Sequence, residues 1–256
     1  MIPIVLHHGL LGSGDISIGP VKLSYFRNID RAIADRGHPV IVSRVHPTGS
    51  IELRARQLKV NILKGLKRQN LPRDSRALII AHSMGGLDAR FMISELGMAD
   101  RVAGLLSITT PHRGSPYADW CLENLGAKLG CARLFDVMGL DVRAVSDLTT
   151  TSCRQFNRDV KNVVGVQYFS VSAARPWHRV PPWFIHAHKV VTNAEGDNDC
   201  VVSVKSSTWG THLGVWPADH LHTINHRVVM EIKNPTGDIV PYWMRAIEKV
   251  KEFMTR

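Results

Sequence analysis

The sequence predicts an α/β fold in which a mostly parallel sheet is covered by helices on both faces. Three observations carry this. Short apolar runs alternate with longer stretches of helical spacing along most of the chain. The runs are apolar at consecutive positions, as strands buried on both faces should be. The 256 residues, 44% of them apolar, are enough for one large domain with a sizeable core.

In chain order, Ile2-Pro3-Ile4-Val5-Leu6 reads as the first strand. It runs into His7-His8-Gly9-Leu10-Leu11-Gly12-Ser13-Gly14. This loop lacks the G-x-G-x-x-G spacing and the lysine of a phosphate cradle. It suits an oxyanion loop, in which the Leu10 N–H approaches a substrate oxygen and His8 orients the turn by hydrogen bonding. Residues 24 to 36 suit a helix stopped by Gly37, and Pro39 to Ser43 a strand. Residues 50 to 69 form a long amphipathic helix. Its basic residues, Arg54, Arg56, Lys59, Lys64, Lys67 and Arg68, are expected on a solvated side.

Ala77-Leu78-Ile79-Ile80-Ala81-His82-Ser83-Met84-Gly85-Gly86 is the stretch that points to chemistry. A buried strand, a serine and two glycines opening a helix make the setting of a nucleophile elbow. The Ser83 hydroxyl would stand above a helix N-terminus whose free N–H groups favour a developing anion, Met84 N–H among them. Ala81 takes the place of the usual first glycine of G-x-S-x-G. Gly85 to Gly97 continues as the elbow helix. Val102 to Ile108 is a further strand, leading to Thr109-Thr110-Pro111-His112-Arg113-Gly114-Ser115. Three loops, those of His8-Gly9, Ser83 and Pro111-His112, thus follow strands and are expected to converge beyond the carboxyl end of the sheet.

Residues 116 to 160 break the alternation with helix-length segments and no strand, and are expected to form a helical lid. Val166 to Val171 is the next strand. The stretch from Arg175 to His186 is rich in proline and aromatics. Trp177, Trp183 and Phe184 could touch a lipid surface, although a rigid loop packed on the core is the simpler expectation. Asp238 to Met254 closes the chain as a helix with Pro241 in its first turn. No repeat, linker or low-complexity tract divides the chain, so one domain over 1–256 is expected.

A serine nucleophile needs a base, and the base an orienting carboxylate, here in the chain order serine, acid, histidine. Glu195-Gly196-Asp197-Asn198-Asp199 offers the acids. Asp199, directly before Val201-Val202, is preferred, with Asp197 second. His220, on the loop side of Asp219-His220-Leu221-His222-Thr223-Ile224-Asn225-His226, is the expected base. His222 and His226 have the spacing of two ligands on one helix face, but no glutamate follows as in H-E-x-x-H, so no metal site is expected.

Lysine and arginine number 32 against 22 acids, a net charge of +10 that could draw the chain to anionic surfaces. No nucleic-acid-binding signature accompanies the charge, and nucleic acid is not an expected partner. Cys121, Cys131, Cys153 and Cys200 form no C-x-x-C pair, and reduced thiols are expected. No run of 18 apolar residues suggests a transmembrane helix. The first strand begins almost at Met1, with no room for a signal peptide, so an intracellular protein is expected.

Pro3 to Gly12, Ala81 to Gly86, Ile108 to Ser115 and the Asp199 and His220 segments together resemble the triacylglycerol lipases of the α/β-hydrolase superfamily, the bacterial true-lipase group and its eukaryotic relatives. The resemblance implies Ser83 as nucleophile, Asp199 as acid, His220 as base, Leu10 and Met84 as oxyanion donors, a mobile lid, a lipid ester as substrate and no cofactor. It also implies alternatives on the same triad, namely phospholipase, acyl-thioesterase or acyltransferase. A non-catalytic lipid-binding module that keeps the fold is the reading from another class. Bacterial members often hold calcium through an aspartate two residues beyond the histidine. That position here is His222, so no calcium site of that type is expected, and Asp219 or Asn225 would have to hold the loop.

Overall fold

The computed structural model describes residues 1–12, 15–18, 21–125, 142–226 and 237–255. Six strands form one parallel sheet in the order β4-β1-β5-β6-β7-β8: β1 (Ile4–His7), β4 (Val40–Val42), β5 (Ala77–His82), β6 (Val102–Ile108), β7 (Gln167–Ala173) and β8 (Thr211–Trp216). A separate antiparallel hairpin joins β2 (Asp15–Ile18) to β3 (Val21–Ser24).

Side chains alternate across each strand, so each apolar run serves two cores. Ile4, Leu6, Leu78 and Ile80 pack with α1 (Ile29–Ala34) and the closing helix α9 (Val240–Met254), through Ile29, Ile33, Trp243 and Ile247. Val5, Ile79 and Ala81 pack on the other face against α2 (Ile51–Arg68) and α3 (Gly85–Glu95), through Leu58, Ile62, Met92 and Ile93. Ser50 caps α2, accepting from the Leu53 N–H.

Three elements differ from the sequence expectation. The helix expected over 24 to 36 is confined to α1, because Asn28 adopts a left-handed conformation (φ 64°). That frees Tyr25 to turn inward, with 5% of its surface exposed. Strand β8 shows no apolar run, being an edge strand that is mostly half-exposed. Helix α7 (Ile185–Glu195) follows the proline-rich stretch directly and contains its last two residues.

The expected lid region carries helices α4 (Pro116–Leu125), α5 (Val142–Asp147) and α6 (Thr150–Asp159). They are pinned down. Asp119 accepts from the Thr150 backbone N–H and hydroxyl, and Asp147 accepts from the Ile51 N–H. Ala144 and Cys153 are buried beside Met84 and Leu87. The rest of the expected lid, 126–141, lies outside the described residues, as does Cys131. Cys153 and Cys200 are free thiols. Among the described residues no helix is long and apolar enough to cross a membrane.

Candidate active site

Ser83 sits between β5 and α3 with φ at +55°, a conformation that costs a non-glycine residue free energy and persists only where the surroundings impose it. The surroundings do so from both sides of the chain. The Ser83 N–H donates to the Ile108 carbonyl (2.9 Å), and its own carbonyl accepts from the Thr110 hydroxyl (2.7 Å) and the Gly86 N–H (3.0 Å). Only small residues fit. A Cβ on Gly86 would lie 2.1 Å from the Thr110 hydroxyl oxygen, and one on Gly85 2.8 Å from the His8 carbonyl. Ala81 causes no such conflict, because its methyl joins the core between the sheet and helices α2 and α3.

Three distant side chains meet here. Ser83 Oγ lies 3.0 Å from His220 Nε2, and His220 Nδ1 lies 2.6 Å from Asp199 Oδ2. The fully buried Asp199 accepts from the Val201 and Val202 N–H groups through Oδ1, which leaves Oδ2 to the imidazole. A hydroxyl that donates to Nε2 therefore faces an imidazole that donates from Nδ1 to the carboxylate. The loop behind Asp199 is held by buried Asn198, whose Oδ1 accepts from the Cys200 N–H, with Cys200 at φ +98°. Asp197 is exposed and offers only its carbonyl, to the Val204 N–H. The structure thus brings Asp199 to His220 and leaves Asp197 outside.

The Leu10 and Met84 N–H groups have no acceptor among the described residues. Gly9 lies against the serine: a Cβ there would be 2.7 Å from Ser83 Cβ. Its carbonyl accepts from His8 Nδ1 (2.9 Å) and from an Arg54 guanidinium N–H (3.2 Å). The peptide is planar and trans, so anchoring that carbonyl on one side turns the Leu10 N–H to the other. His8 Nε2 accepts from the Val45 N–H, which fixes the neutral tautomer; burial, with His7 and Arg54 nearby, pushes its pKa down to about 3. His8 orients the loop, as expected.

Arg54 was expected on the solvated side of α2, and that is corrected here. It is fully buried. Its guanidinium donates to Asp88 (2.8 Å) and to the His46, His8 and Gly9 carbonyls. Asp88 also binds His7 Nε2 (2.9 Å). The only sequence signal for this was an arginine in the first turn of α2, in phase with the buried Leu58 and Ile62.

His82 adds a second connection that the sequence reading missed. The Gly9 N–H donates to the Tyr25 hydroxyl, which donates to His82 Nδ1 (2.7 Å). His82 Nε2 then donates to Thr223 Oγ1 (3.0 Å), whose hydroxyl donates to the His220 carbonyl (2.6 Å). Desolvation, with His220 and other imidazoles close by, holds the His82 pKa well below its ordinary value, so the ring stays neutral and the chain of donors keeps its direction. The Pro111-His112 loop reaches the site through Thr110. His112 itself is buried, donating to Ser107 Oγ and stacked on Trp209.

The His220 loop is tied by Asp219. One oxygen pairs with Arg175 (2.5 Å), and the other accepts from the Leu221 and His222 N–H groups. Asn225 binds the Arg27 carbonyl, and the Trp243 indole the Thr223 carbonyl. A calcium ion does not fit this set, since His222 faces the Gly237 carbonyl and the nearby carboxylate is matched to a guanidinium. Nor do His222 and His226 converge: His226 lies on the Ser24 and Tyr25 carbonyls. Among the described residues no group of three metal-ligating side chains occurs.

Residues 55–205, more than half of the chain, match the family model described as "PGAP1-like alpha/beta domain". The chain belongs to this family. Two similar proteins are lipases by name. "Triacylglycerol lipase 2" of Saccharomyces cerevisiae is 33% identical over 80% of this chain, which spans 63% of that protein. "Triacylglycerol lipase" of Pseudomonas fragi is 28% identical, with 88% of each chain covered. The solved mature lipase BlEst2 of Bacillus licheniformis superposes with a TM-score of 0.73 at 20% identity, over 96% of this chain and 91% of that one. The fold is therefore that of the α/β-hydrolase lipases, the superfamily to which the sequence blocks pointed.

Proposed function

We propose that this protein is a serine carboxylic-ester hydrolase acting on lipid esters, a triacylglycerol lipase or esterase. The observation that carries the reading is the row Ser83–His220–Asp199, with contacts of 3.0 and 2.6 Å, beside two unengaged backbone N–H groups. The two relatives named as triacylglycerol lipases support the substrate class.

In this reading His220 takes the Ser83 proton as the hydroxyl attacks the ester carbonyl. Asp199 fixes the imidazole tautomer and stabilises the imidazolium. The Leu10 and Met84 N–H groups hold the oxyanion; losing one such donor costs about 10²–10³ in rate. His220 then protonates the leaving alcohol, and water repeats the sequence on the acyl-enzyme. The 116–160 insertion is read as a lid framed by the anchored helices α4, α5 and α6, and initial rate should rise steeply as substrate passes its solubility limit. A smooth saturation curve would remove the lid.

A fluorophosphonate probe should label Ser83. Ser83→Ala should abolish labelling and lower kcat by about 10⁶. Labelling that survives the substitution would overturn the assignment of the serine. No labelling of the intact protein would favour the non-catalytic module. Relative rates on triglyceride, phospholipid and acyl-thioester substrates separate the lipase reading from its alternatives on the same triad.

A further inference from the structure

Strand β7 ends at the carboxyl end of the sheet, the end that carries Ser83, and the chain continues in two short 3₁₀ turns, Trp177–Arg179 and Pro182–Phe184. Trp177 and Trp183 are 58% and 60% exposed. Their exposure is built in. Arg175, Val180, Pro181, Ala187 and His188 anchor the segment inward, and His188 Nε2 donates to the Arg175 carbonyl. Pro176, Pro181 and Pro182 fix the backbone around the two indoles, so little ordering cost remains for a binding event.

Within the stretch itself the charge has one sign. No aspartate or glutamate occurs between Asp159 and Glu195. Arg179, Lys189, His178 and His186 are exposed on this stretch, and neither Arg179 nor Lys189 has an ion-pair partner among the described residues. His186 meets Trp120 of α4 edge-to-face, which joins the segment to the expected lid region. Two amphipathic rings flanked by cations, with no acid in the stretch, match the headgroup layer of a negatively charged bilayer.

We propose that the 175–189 segment is a docking face for anionic phospholipid bilayers, inserting Trp177 and Trp183 at headgroup level while Arg179 and Lys189 meet the lipid charge. This deepens the lipid-ester reading and rests on it for the choice of partner, but binding is tested without turnover. The intact protein is sedimented with ether-linked, unhydrolysable vesicles of phosphatidylcholine, alone or mixed with phosphatidylserine. Partition should favour the mixed vesicles and fall with added salt. Arg179→Glu and Lys189→Glu should each lower it by roughly fivefold or more, and Trp177→Ala with Trp183→Ala by at least as much. All four substitutions should leave turnover of a water-soluble short-chain ester unchanged, which separates lost docking from lost folding. Equal partition into neutral and mixed vesicles, no partition into either, or undiminished binding by the double tryptophan variant overturns the proposal. Failure of the esterase assay with vesicle binding intact would count against the hydrolase reading alone.

Discussion

Arg54 shares one guanidinium among the Asp88 carboxylate and three carbonyls, two of them in the loop that presents the Leu10 N–H. Its substitution should therefore affect rate and stability through separate routes. Arg54→Met leaves Asp88 buried beside only His7, at a cost of about 3–5 kcal/mol in denaturant unfolding. It also takes from the Gly9 carbonyl one of its two donors, leaving His8 alone to hold it, and kcat on a water-soluble ester should fall by up to about 10² with KM little changed. Adding Asp88→Asn should recover most of the stability and little of the rate. Recovery of kcat in the double variant would mean that the loop keeps its orientation without the arginine. Only the phase of Arg54 with Leu58 and Ile62 marked it in the sequence, and the equally basic residues on the exposed side of α2 masked that signal. The three residues of the proposed triad each sit in a short local pattern with its own chemistry, which is why the sequence could offer them. Between the two candidate acids, composition could not choose; in the fold Asp199 lies buried against His220 and Asp197 is exposed.

At the level of elements, the His220 loop is held by the Asp219–Arg175 ion pair and by the two backbone N–H groups that Asp219 caps. Asp219→Ala should remove the carboxylate paired with buried Arg175 and uncap two backbone N–H groups, lowering unfolding free energy by about 3 kcal/mol and kcat by roughly tenfold. Treatment of the unaltered protein with a chelator should change neither the melting temperature nor the rate; a drop in both that calcium restores would show that an ion is required. The same scale explains the elements missed in the sequence. Strand β8 escapes a search for apolar runs because an edge strand buries little of itself. Helix α1 begins late because Asn28 turns left-handed, and Tyr25 is then drawn into the chain of hydrogen bonds from Gly9 to His220.

Across the whole molecule, His8, His82 and His112 are all buried with pKa values held below the ordinary 6.5, chiefly by desolvation. The unfolded chain takes up protons on these rings below about pH 6.5, and the folded chain does not until pH falls much further. Stability is thus fully present above 6.5 and declines as pH falls, since the unfolded state binds more protons. The urea midpoint should be clearly lower near pH 5 than near pH 7, and a flat midpoint would mean that these rings are protonated in the fold. The amino-acid sequence by itself determined the parallel strand–helix order and the serine, acid and histidine segments, because a buried strand and a strained turn leave local marks of composition and spacing. Tertiary structure alone decided which carboxylate meets His220, which way the Gly9 peptide faces, and that Arg54 and His82 belong beneath the site. Those outcomes depend on directional hydrogen bonds between segments tens of residues apart, and such bonds leave no period in the chain.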